Sequence, residues 1–311
     1  MKHQRISSEH DYIAGATSTL DFASSFASSN ALRPRAHAII PGGAHTYAKG
    51  DDQYPLIAPG FIERGLGCHV WDVDGNRFIE YGMGLRAVTL GHAYPAVIKA
   101  AAQQMALGAN FTRPSPLEME CAEALLQVVP SADMVKFTKD GSTATTAAVR
   151  LARAYTGRDM IAVCADHPFF SYDDWAICTT PMSAGIPHQV SDLTLSFRYN
   201  DIPGVAAMFA ACPGRIAALI LEAAKDVEPA PGYLNELREL CHRNGALLIL
   251  DEMITGFRWP DQSAQRHYGV EADLSTFGKA LGNGFAVSAL VGKRDIMRLG
   301  GSEHDGNRVF L

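Results

Sequence analysis

The chain has 311 residues, of which 47% are hydrophobic and 19% are charged, so it can form one large domain or two smaller ones. Its formal net charge of −6 provides no electrostatic basis for binding nucleic acid or an anionic membrane surface. The sequence has no apolar run of transmembrane length and no basic-then-apolar signal pattern, so we expect neither a membrane span nor a signal peptide.

Cysteines and histidines bear on location and on metal binding. The six cysteines are scattered without C-x-x-C spacing, which predicts reduced thiols in a cytoplasmic protein. The eleven histidines show neither an H-E-x-x-H pattern nor another paired ligand spacing. We therefore expect no metal site.

Residues 1–90 are predicted to form an N-terminal arm and a small β segment. Residues 1 to about 36 are expected to be a mobile or helical arm, with a weak helix pattern over 21–30. Residues 44–49 are expected to be extended. Residues 68–80 alternate around an Asp-Gly turn, which predicts a β-hairpin, and a glycine-containing loop follows over 81–90.

Residues 91–311 are predicted to form an α/β domain. Two helices are expected first, at 95–107 and 116–129, the second with Leu117, Cys121, Ala124 and Leu125 on one face. Strands are then predicted at 134–138, 160–164, 215–221, 246–250, 274–277 and 287–291, and helices at 144–155 and 233–243. Short apolar strands that alternate with helices indicate a mostly parallel sheet flanked by helices, which binds ligands at the carboxyl ends of its strands.

Two of these strand ends carry ionisable residues that point to chemistry. Asp251 closes the apolar run 246–250, and Lys279 follows the run 274–277 directly after Gly278. A pyridoxal phosphate (PLP) site needs a lysine for a Schiff base and a carboxylate for the protonated pyridine nitrogen. Three other interpretations stay open: a solvated loop lysine, a helix N-cap, and an Asp251-Glu252 pair that binds Mg²⁺ as in nucleotide hydrolases.

A third strand end has the composition of a phosphate site. Gly141, Ser142 and Thr143 stand between a predicted strand and a helix start, where backbone N–H groups, hydroxyls and the helix dipole favour a phosphate. The alternative is a Ser/Thr helix cap without a ligand. The sequence lacks a P-loop, because Lys279 is followed by Ala280. The three strand-end elements are weak one by one and specific together.

Five segments resemble one family, the class III, fold-type I PLP-dependent aminotransferases, and most of all their glutamate-1-semialdehyde 2,1-aminomutase branch. They read W-D-V-D-G-N-R-F-I-E-Y, L-G-H-A-Y-P-A-V, D-G-S-T-A-T-T-A-A-V-R-L-A-R, L-R-E-L-C-H-R-N-G-A-L-L-I-L-D-E-M-I-T-G-F-R and F-G-K-A-L-G-N-G-F. The resemblance implies pyridoxal 5′-phosphate as cofactor and the fold-type I large domain. It also implies site roles. Lys279 is the catalytic Schiff-base lysine, Asp251 is the pyridine partner, and Gly141, Ser142 and Thr143 hold the phosphate.

The sequence departs from that family at positions that would contact substrate or the cofactor ring. Lys49 stands where the aminomutase has a substrate-binding arginine, and a lysine cannot form the bidentate carboxylate contact of an arginine. Arg86 is a second candidate for anion recognition, with a solvated side chain as the alternative. Phe169 or Phe170 is expected to stack on the cofactor, unless both are core aromatics. These departures favour another amino or keto substrate.

The family continues beyond the point where this chain ends, at Leu311. We therefore expect that the small C-terminal domain is missing and that the large domain forms a homodimer. The function implied is transfer of an amino group, either between two substrates by a transaminase or within one substrate by an aminomutase. The alternative is a catalytically inactive PLP-fold remnant or binding protein, and a nucleotide hydrolase is a further one.

Overall fold

The computed structural model describes residues 26–55, 57–167, 169–301 and 309–311. Residues 21–25 of the weak helix pattern at 21–30 lie outside these residues, and residues 27–30 are helical. Contacts divide the described residues into one unit that ends at Glu80 and a second from Tyr81 to Leu311, whereas the sequence analysis drew the division after residue 90. The assignment of the second part as a cofactor-binding domain stays a prediction.

The first unit contains a helix and a small antiparallel sheet. Helix α1 spans Ala27–Ile39, and 3₁₀ turns follow at Pro41–Gly43, Tyr47–Lys49 and Asp51–Gln53. The expectation of an extended segment over 44–49 is therefore wrong at its end. Strands β1 (Ile62–Leu66), β2 (His69–Asp72) and β3 (Arg77–Ile79) pair in that order. The predicted hairpin is β2–β3, and β1 is an additional strand.

The hairpin turn is organised by one buried carboxylate. Oδ1 of Asp72 accepts hydrogen bonds from the backbone N–H groups of Asp74 at 3.0 Å and Asn76 at 2.7 Å. An aspartate that bonds the backbone ahead of it replaces ladder hydrogen bonds at a turn. Arg64 of β1 also lies over the ring of Trp71, 3.6 Å from its centroid.

The second unit is built on a seven-stranded sheet, which confirms the predicted mostly parallel α/β architecture. Its strands are β4 (Met134–Thr138), β5 (Met160–Cys164), β6 (Thr194–Phe197), β7 (Ile216–Leu221), β8 (Leu247–Glu252), β9 (Leu274–Phe277) and β10 (Ser288–Gly292). The order across the sheet is β4-β10-β9-β8-β7-β5-β6. Only β10 runs against its neighbours, β4 and β9. The sequence analysis missed β6, an edge strand with polar residues.

The second unit also contains helices along its sequence. They are α2 (Met83–Arg86), α3 (Pro95–Leu107), α4 (Pro116–Val128), α5 (Gly141–Thr156), α6 (Asp174–Ile177), α7 (His188–Ser191), α8 (Ile202–Ala211), α9 (Tyr233–Arg243), α10 (Ala264–His267) and α11 (Arg294–Met297), with 3₁₀ turns at Lys279–Leu281 and Arg298–Gly300. The predicted bounds of α3 and α9 are confirmed. Helix α4 buries Leu125 and Val128, whereas Leu117 and Cys121 of its predicted face are exposed. Among the described residues, no helix is both long and apolar enough to cross a membrane.

Several strands of the sheet end at the same edge. Every residue of β7 and β8 is buried, because helices such as α5 and α9 cover the sheet. Strand β4 runs parallel to β9, since both are antiparallel to β10. The carboxyl ends of β4, β7, β8 and β9 therefore meet at one edge of the sheet.

Candidate functional site

A cavity of about 390 Å³ lies at the carboxyl edge of the sheet, within the second unit. This volume falls in the range of small-molecule sites. Five predicted site residues line it: Gly141, Ser142, Phe169, Asp251 and Lys279. The other lining residues are Asp140, Phe170, Tyr172, Glu222, Met253, Ile254 and Ser288. The tertiary structure thus brings the three strand-end elements to one concave surface.

Asp251 is a buried carboxylate held by two hydrogen bonds. Its Oδ1 accepts from the backbone N–H of Met253 and from the hydroxyl of Thr276, each at 2.9 Å. Burial raises the pKa of Asp251 to about 6, while these hydrogen bonds and Lys279 act in the opposite direction. Turns rather than a helix follow Asp251, so the helix-cap interpretation is wrong for this residue.

The adjacent Glu252 has a structural role that bears on the Mg²⁺ interpretation. Its carboxylate accepts from the N–H of Ala264 at 2.7 Å, the N–H of Gln265 at 3.0 Å and the hydroxyl of Thr255 at 3.0 Å. The side-chain amide of Gln265 also donates to it, at 3.1 Å. These donors occupy both oxygens, so Glu252 is not available as the second ligand of an acidic metal pair. Across the described residues, no cluster of acidic, histidine and cysteine side chains could hold a metal ion.

Lys279 follows strand β9 after one intervening residue, Gly278, and has a restricted backbone conformation. Its φ of 47° is in the left-handed region, which non-glycine residues rarely occupy and which often marks a functional site. Burial lowers the pKa of the Lys279 ammonium, and the carboxyl groups of Asp251 and Glu222 partly oppose that shift. Asp251 and Lys279 therefore influence each other electrostatically across the cavity.

One methionine side chain touches both glycine-containing turns of the cavity. A Cβ on Gly141 would lie 2.9 Å from Sδ of Met253, and a Cβ on Gly278 would lie 2.5 Å from the same sulfur. Met253 itself is buried and donates its N–H to Asp251. A side chain at either glycine would therefore displace the Met253 side chain. The sequence analysis missed this residue, whose only signal is its place after the Asp251-Glu252 pair.

The turn before α5 is capped by an aspartate. Oδ1 of Asp140 accepts from the N–H of Thr143 at 2.8 Å, and the Thr143 hydroxyl also donates to this carboxylate. The cap explains why α5 begins at Gly141, earlier than predicted. Thr143 does not line the cavity. None of the described residues accepts a hydrogen bond from the N–H groups of Gly141 and Ser142, which remain available to an anion.

Three aromatic residues of one segment line the cavity. Phe170 is 5% exposed, and its carbonyl accepts from the hydroxyl of Thr145, so it belongs to the core. Phe169 is 63% exposed and leaves its ring free for a ligand. Tyr172, which the sequence analysis did not single out, donates its N–H to Oγ of Ser142 at 3.1 Å. Phe169 is thus the better placed of the two predicted stacking candidates.

Glu222 is the main functional candidate that sequence reasoning missed. It follows strand β7 and lines the cavity, and only 5% of it is exposed. Burial raises its pKa to about 7. Its backbone N–H donates to Nδ1 of His167 at 3.1 Å. The available signal was a carboxylate at the end of a fully apolar run, which is the same signal that identified Asp251.

The two predicted substrate residues lie in different units. Arg86 belongs to the second unit, where residues Met83, Gly84, Leu85 and Arg86 all have positive φ. Its carbonyl accepts a hydrogen bond from the guanidinium of Arg258. Lys49 belongs to the first unit, where it is exposed at the end of a 3₁₀ turn. The roles of both residues in substrate binding stay predictions.

The chain is similar in sequence to curated aminomutases. The chain is 40% identical over 277 residues to a glutamate-1-semialdehyde 2,1-aminomutase from Chloroflexus aurantiacus, covering 85% of this chain and 62% of the relative. The chain thus spans less than two thirds of the length of that protein.

Solved structures have the same fold. An omega-transaminase from Sphaerobacter thermophilus superposes with a TM-score of 0.84 at 30% identity, covering 90% of this chain and 67% of the other. The FumI protein of Sphingopyxis sp. MTA144, in its PLP internal aldimine form, superposes with a TM-score of 0.81 at 33% identity, covering 90% and 68%. The family model described as aminotransferase class-III matches residues 47–308. With a matched region of this extent and a fold-type I sheet that carries Asp251 and Lys279 at its carboxyl edge, the chain belongs to the class-III aminotransferase family.

Proposed function

We propose that this chain binds pyridoxal 5′-phosphate and moves an amino group, as a transaminase or as an aminomutase. The observation that carries the proposal is the shared cavity of Asp251 and Lys279, next to free N–H groups at the start of α5. When bound, the cofactor supplies an electron sink for bonds at the substrate carbon. The chain would supply an amine from Lys279, a carboxylate from Asp251 and N–H donors for the phosphate from the start of α5.

Each residue has a distinct role in this proposal. Lys279 supplies the amine that holds the cofactor covalently and, when released, moves a proton at the substrate carbon. Its lowered pKa favours the neutral amine that both tasks require. Asp251 keeps the pyridine nitrogen protonated, and Phe169 covers one face of the ring. The N–H groups of Gly141 and Ser142 hold the phosphate, with Thr143 ordered behind them by Asp140.

One feature of the phosphate cradle opposes the binding of an anion. Asp140 places a carboxylate at the same helix start that would receive the phosphate. This negative charge weakens the attraction of the helix dipole for a second anion. We therefore propose a lower cofactor affinity than a serine at position 140 would allow.

The substrate is a small molecule with an amino or carbonyl group. Arg86, which belongs to the same unit as the cavity, is the proposed contact for an anionic group on it, and a substrate-binding role of Lys49 is a separate proposal. A transaminase and an aminomutase differ in whether the amino group leaves with a first product. Accumulation of the pyridoxamine form with a single amino donor supports the transaminase, and its absence during turnover of one substrate supports the aminomutase.

Helix α3 supports the proposal that the second unit assembles with a second copy of the chain. The helix is largely apolar, yet none of its residues is buried within the described residues. Ile98, Met105 and Leu107 are 46%, 59% and 76% exposed. Apolar surface of this kind is typical of protein interfaces. Sedimentation of the purified chain tests the homodimer, which a monomer at micromolar concentration would contradict.

The location of the protein is a separate proposal. All six cysteines lie in the described part of the chain and are free thiols. Free thiols are the usual state in the cytoplasm, where we place the protein. Fractionation of cells that express the chain tests this location.

The deciding experiment is an absorbance spectrum of the purified chain with PLP, followed by borohydride reduction and peptide mapping. We expect a visible band and a reduced adduct on Lys279, and loss of both in Lys279→Ala. Lys293→Ala is the matched control. The ammonium of Lys293 lies 3.6 Å from the carboxylate of Glu271, and Lys293 does not line the cavity. A folded chain without the band would contradict the proposal and favour a PLP-fold protein that does not catalyse.

A further inference from the structure

Glu222 occupies a position next to Asp251 at the carboxyl edge of the sheet. Strands β7 and β8 are parallel, and Leu221 pairs with Leu250. Glu222 and Asp251 are the next residues along the two chains and therefore lie side by side at the carboxyl edge of the sheet. Both side chains line the cavity together with Lys279. Two carboxyl groups and one amine therefore share a buried space.

Glu222 is the least satisfied of the buried acids around this cavity. Its Oε2 is buried and accepts no hydrogen bond from any described residue. By contrast, Asp251 accepts two hydrogen bonds and Glu252 accepts four. A buried carboxylate oxygen without a donor is costly unless a cation or a hydrogen-bond donor enters the cavity. Oε2 of Glu222 can therefore accept a hydrogen bond from, or pair with, a group that enters the cavity.

The charged neighbours of Glu222 show which kind of partner fits. Asp251 repels its negative charge, whereas the cationic groups of Lys225, Lys279 and Arg86 attract it. His167 adds no charge near neutral pH, because burial lowers its pKa to about 4 and its Nδ1 accepts the N–H of Glu222. Of the three cations, Lys279 alone lines the cavity. The ionised form of Glu222 is thus favoured by positive charge on the nitrogen of Lys279.

We propose that Glu222 is the counter-charge of the Lys279 nitrogen, a positioning residue whose carboxylate keeps that nitrogen protonated while it is bonded to the cofactor. Asp251 is less suited to this task, because its Oδ1 is held by Met253 and Thr276 and its proposed partner is the ring nitrogen. The inference rests on the proposed function, since it assumes that Lys279 carries the cofactor.

The first test uses the full chain without cofactor. Burial raises the pKa of Glu222 from 4.5 to about 7, so the folded state binds more protons than the unfolded state between these values. Stability therefore falls as pH rises through this interval. We expect Glu222→Gln to remove part of the decrease in urea midpoint between about pH 5 and about pH 8. Glu239→Gln, an exposed glutamate on α9, is the matched control and should behave as the wild type.

The second test asks whether Glu222 acts through Lys279. A double-mutant cycle compares the urea midpoints of the wild type, Glu222→Gln, Lys279→Met and the double variant at about pH 8. We expect the two single shifts not to add, because the carboxylate and the ammonium interact in the folded state. Additive shifts, or a pH response of Glu222→Gln equal to that of the wild type, would overturn the proposal without any reference to the cofactor.

The third test uses the chain loaded with PLP. Glu222→Gln should still form the visible band, but the apparent pKa at which the band changes should fall by about one unit or more. Glu222→Asp should recover part of the shift. A band with an unchanged pKa in Glu222→Gln would overturn the inference while leaving the proposed function intact. Absence of the band in the wild type would count against the proposed function, and the cofactor-free cycle would still decide on Glu222.

Discussion

The hydroxyl of Thr276 donates to Oδ1 of Asp251 at 2.9 Å, across the parallel pair of strands β8 and β9, where the two residues are register partners. The N–H of Met253 reaches the same oxygen at 2.9 Å. The orientation of the carboxylate is therefore set by the protein before any ligand binds. Pre-ordered groups of this kind lose little freedom when they meet their partner.

Asp251→Asn separates the function of this carboxylate from its structural role. An asparagine retains an acceptor for Thr276 and Met253 but removes the negative charge. We expect amino-transfer activity to fall by about 100-fold or more, since a charge aimed at the reacting system is lost. Steady-state kinetics with PLP in excess measure this change, and activity close to that of the wild type would contradict the proposed role.

The same variant should not lose stability without cofactor. Burial raises the pKa of Asp251 from 3.8 to about 6, so the ionised form is disfavoured in the folded state and stability decreases as pH rises through this interval. Asp251→Asn removes that decrease. Urea midpoints above about pH 6 should thus equal or exceed those of the wild type, and a lower midpoint would contradict this account.

Thr276→Val should have a smaller effect than Asp251→Asn. The substitution removes a donor to Asp251 and leaves the carboxylate and its bond from Met253 in place. We expect a loss of stability of about 1 kcal/mol, the usual contribution of one buried hydrogen bond. Thr276→Ser, which restores the hydroxyl, serves as the control. Equal midpoints for the valine and serine variants would show that the bond contributes nothing.

Lys279 should react with PLP at a lower pH than a surface lysine. Burial lowers the pKa of Lys279, so its neutral, nucleophilic amine is present at lower pH than an amine with the ordinary lysine pKa would allow. Borohydride trapping over a pH series, followed by mapping of Lys279 and Lys293, compares the two positions. The prediction would be contradicted if Lys293 were still labelled at a pH where Lys279 is no longer labelled.

Gly278→Ala should destabilise the protein through packing. A Cβ at this position would lie 2.5 Å from Sδ of Met253 and 2.6 Å from Oγ of Ser288, both of which belong to buried residues. Overpacking of this kind costs about 1–3 kcal/mol. Gly82→Ala is the matched control, because its φ is −70° and a Cβ there meets nothing within 4 Å. Equal stability of both variants, by urea denaturation, would show that the loop adjusts freely.

Glu252→Ala should be the most destabilising of these changes. It leaves the N–H groups of Ala264 and Gln265 and the hydroxyl of Thr255 without their buried acceptor. We expect a loss of about 3 kcal/mol or more, measured by urea denaturation. Glu252→Gln retains one acceptor oxygen and should lose less. A similar loss in both variants would indicate that the charge, and not the acceptors, holds the segment.

Sequence patterns were sufficient for most of the second unit. Fully apolar runs predicted the parallel core, because buried strands need no polar face. The same reasoning failed at β6 and at Tyr47–Lys49, where a polar edge strand and a 3₁₀ turn have weak local signals. It also passed over Glu222, which ends an apolar run as Asp251 does. That position was the one sequence signal that set Glu222 apart from a solvated glutamate.

The sequence by itself carried the local signals that predict a cofactor site: a lysine after a glycine, an aspartate after a buried strand and a glycine turn before a helix. These signals are local, because each depends on residues that are neighbours in the chain. Tertiary structure alone decided which groups share the cavity and how they are oriented. It directs donors from Thr276 and Met253 to Asp251 and engages Glu252 in separate hydrogen bonds. It leaves Oε2 of Glu222 without a donor among the described residues. Burial and hydrogen-bond partners arise from contacts distant in sequence, and these contacts set the charge of each acid.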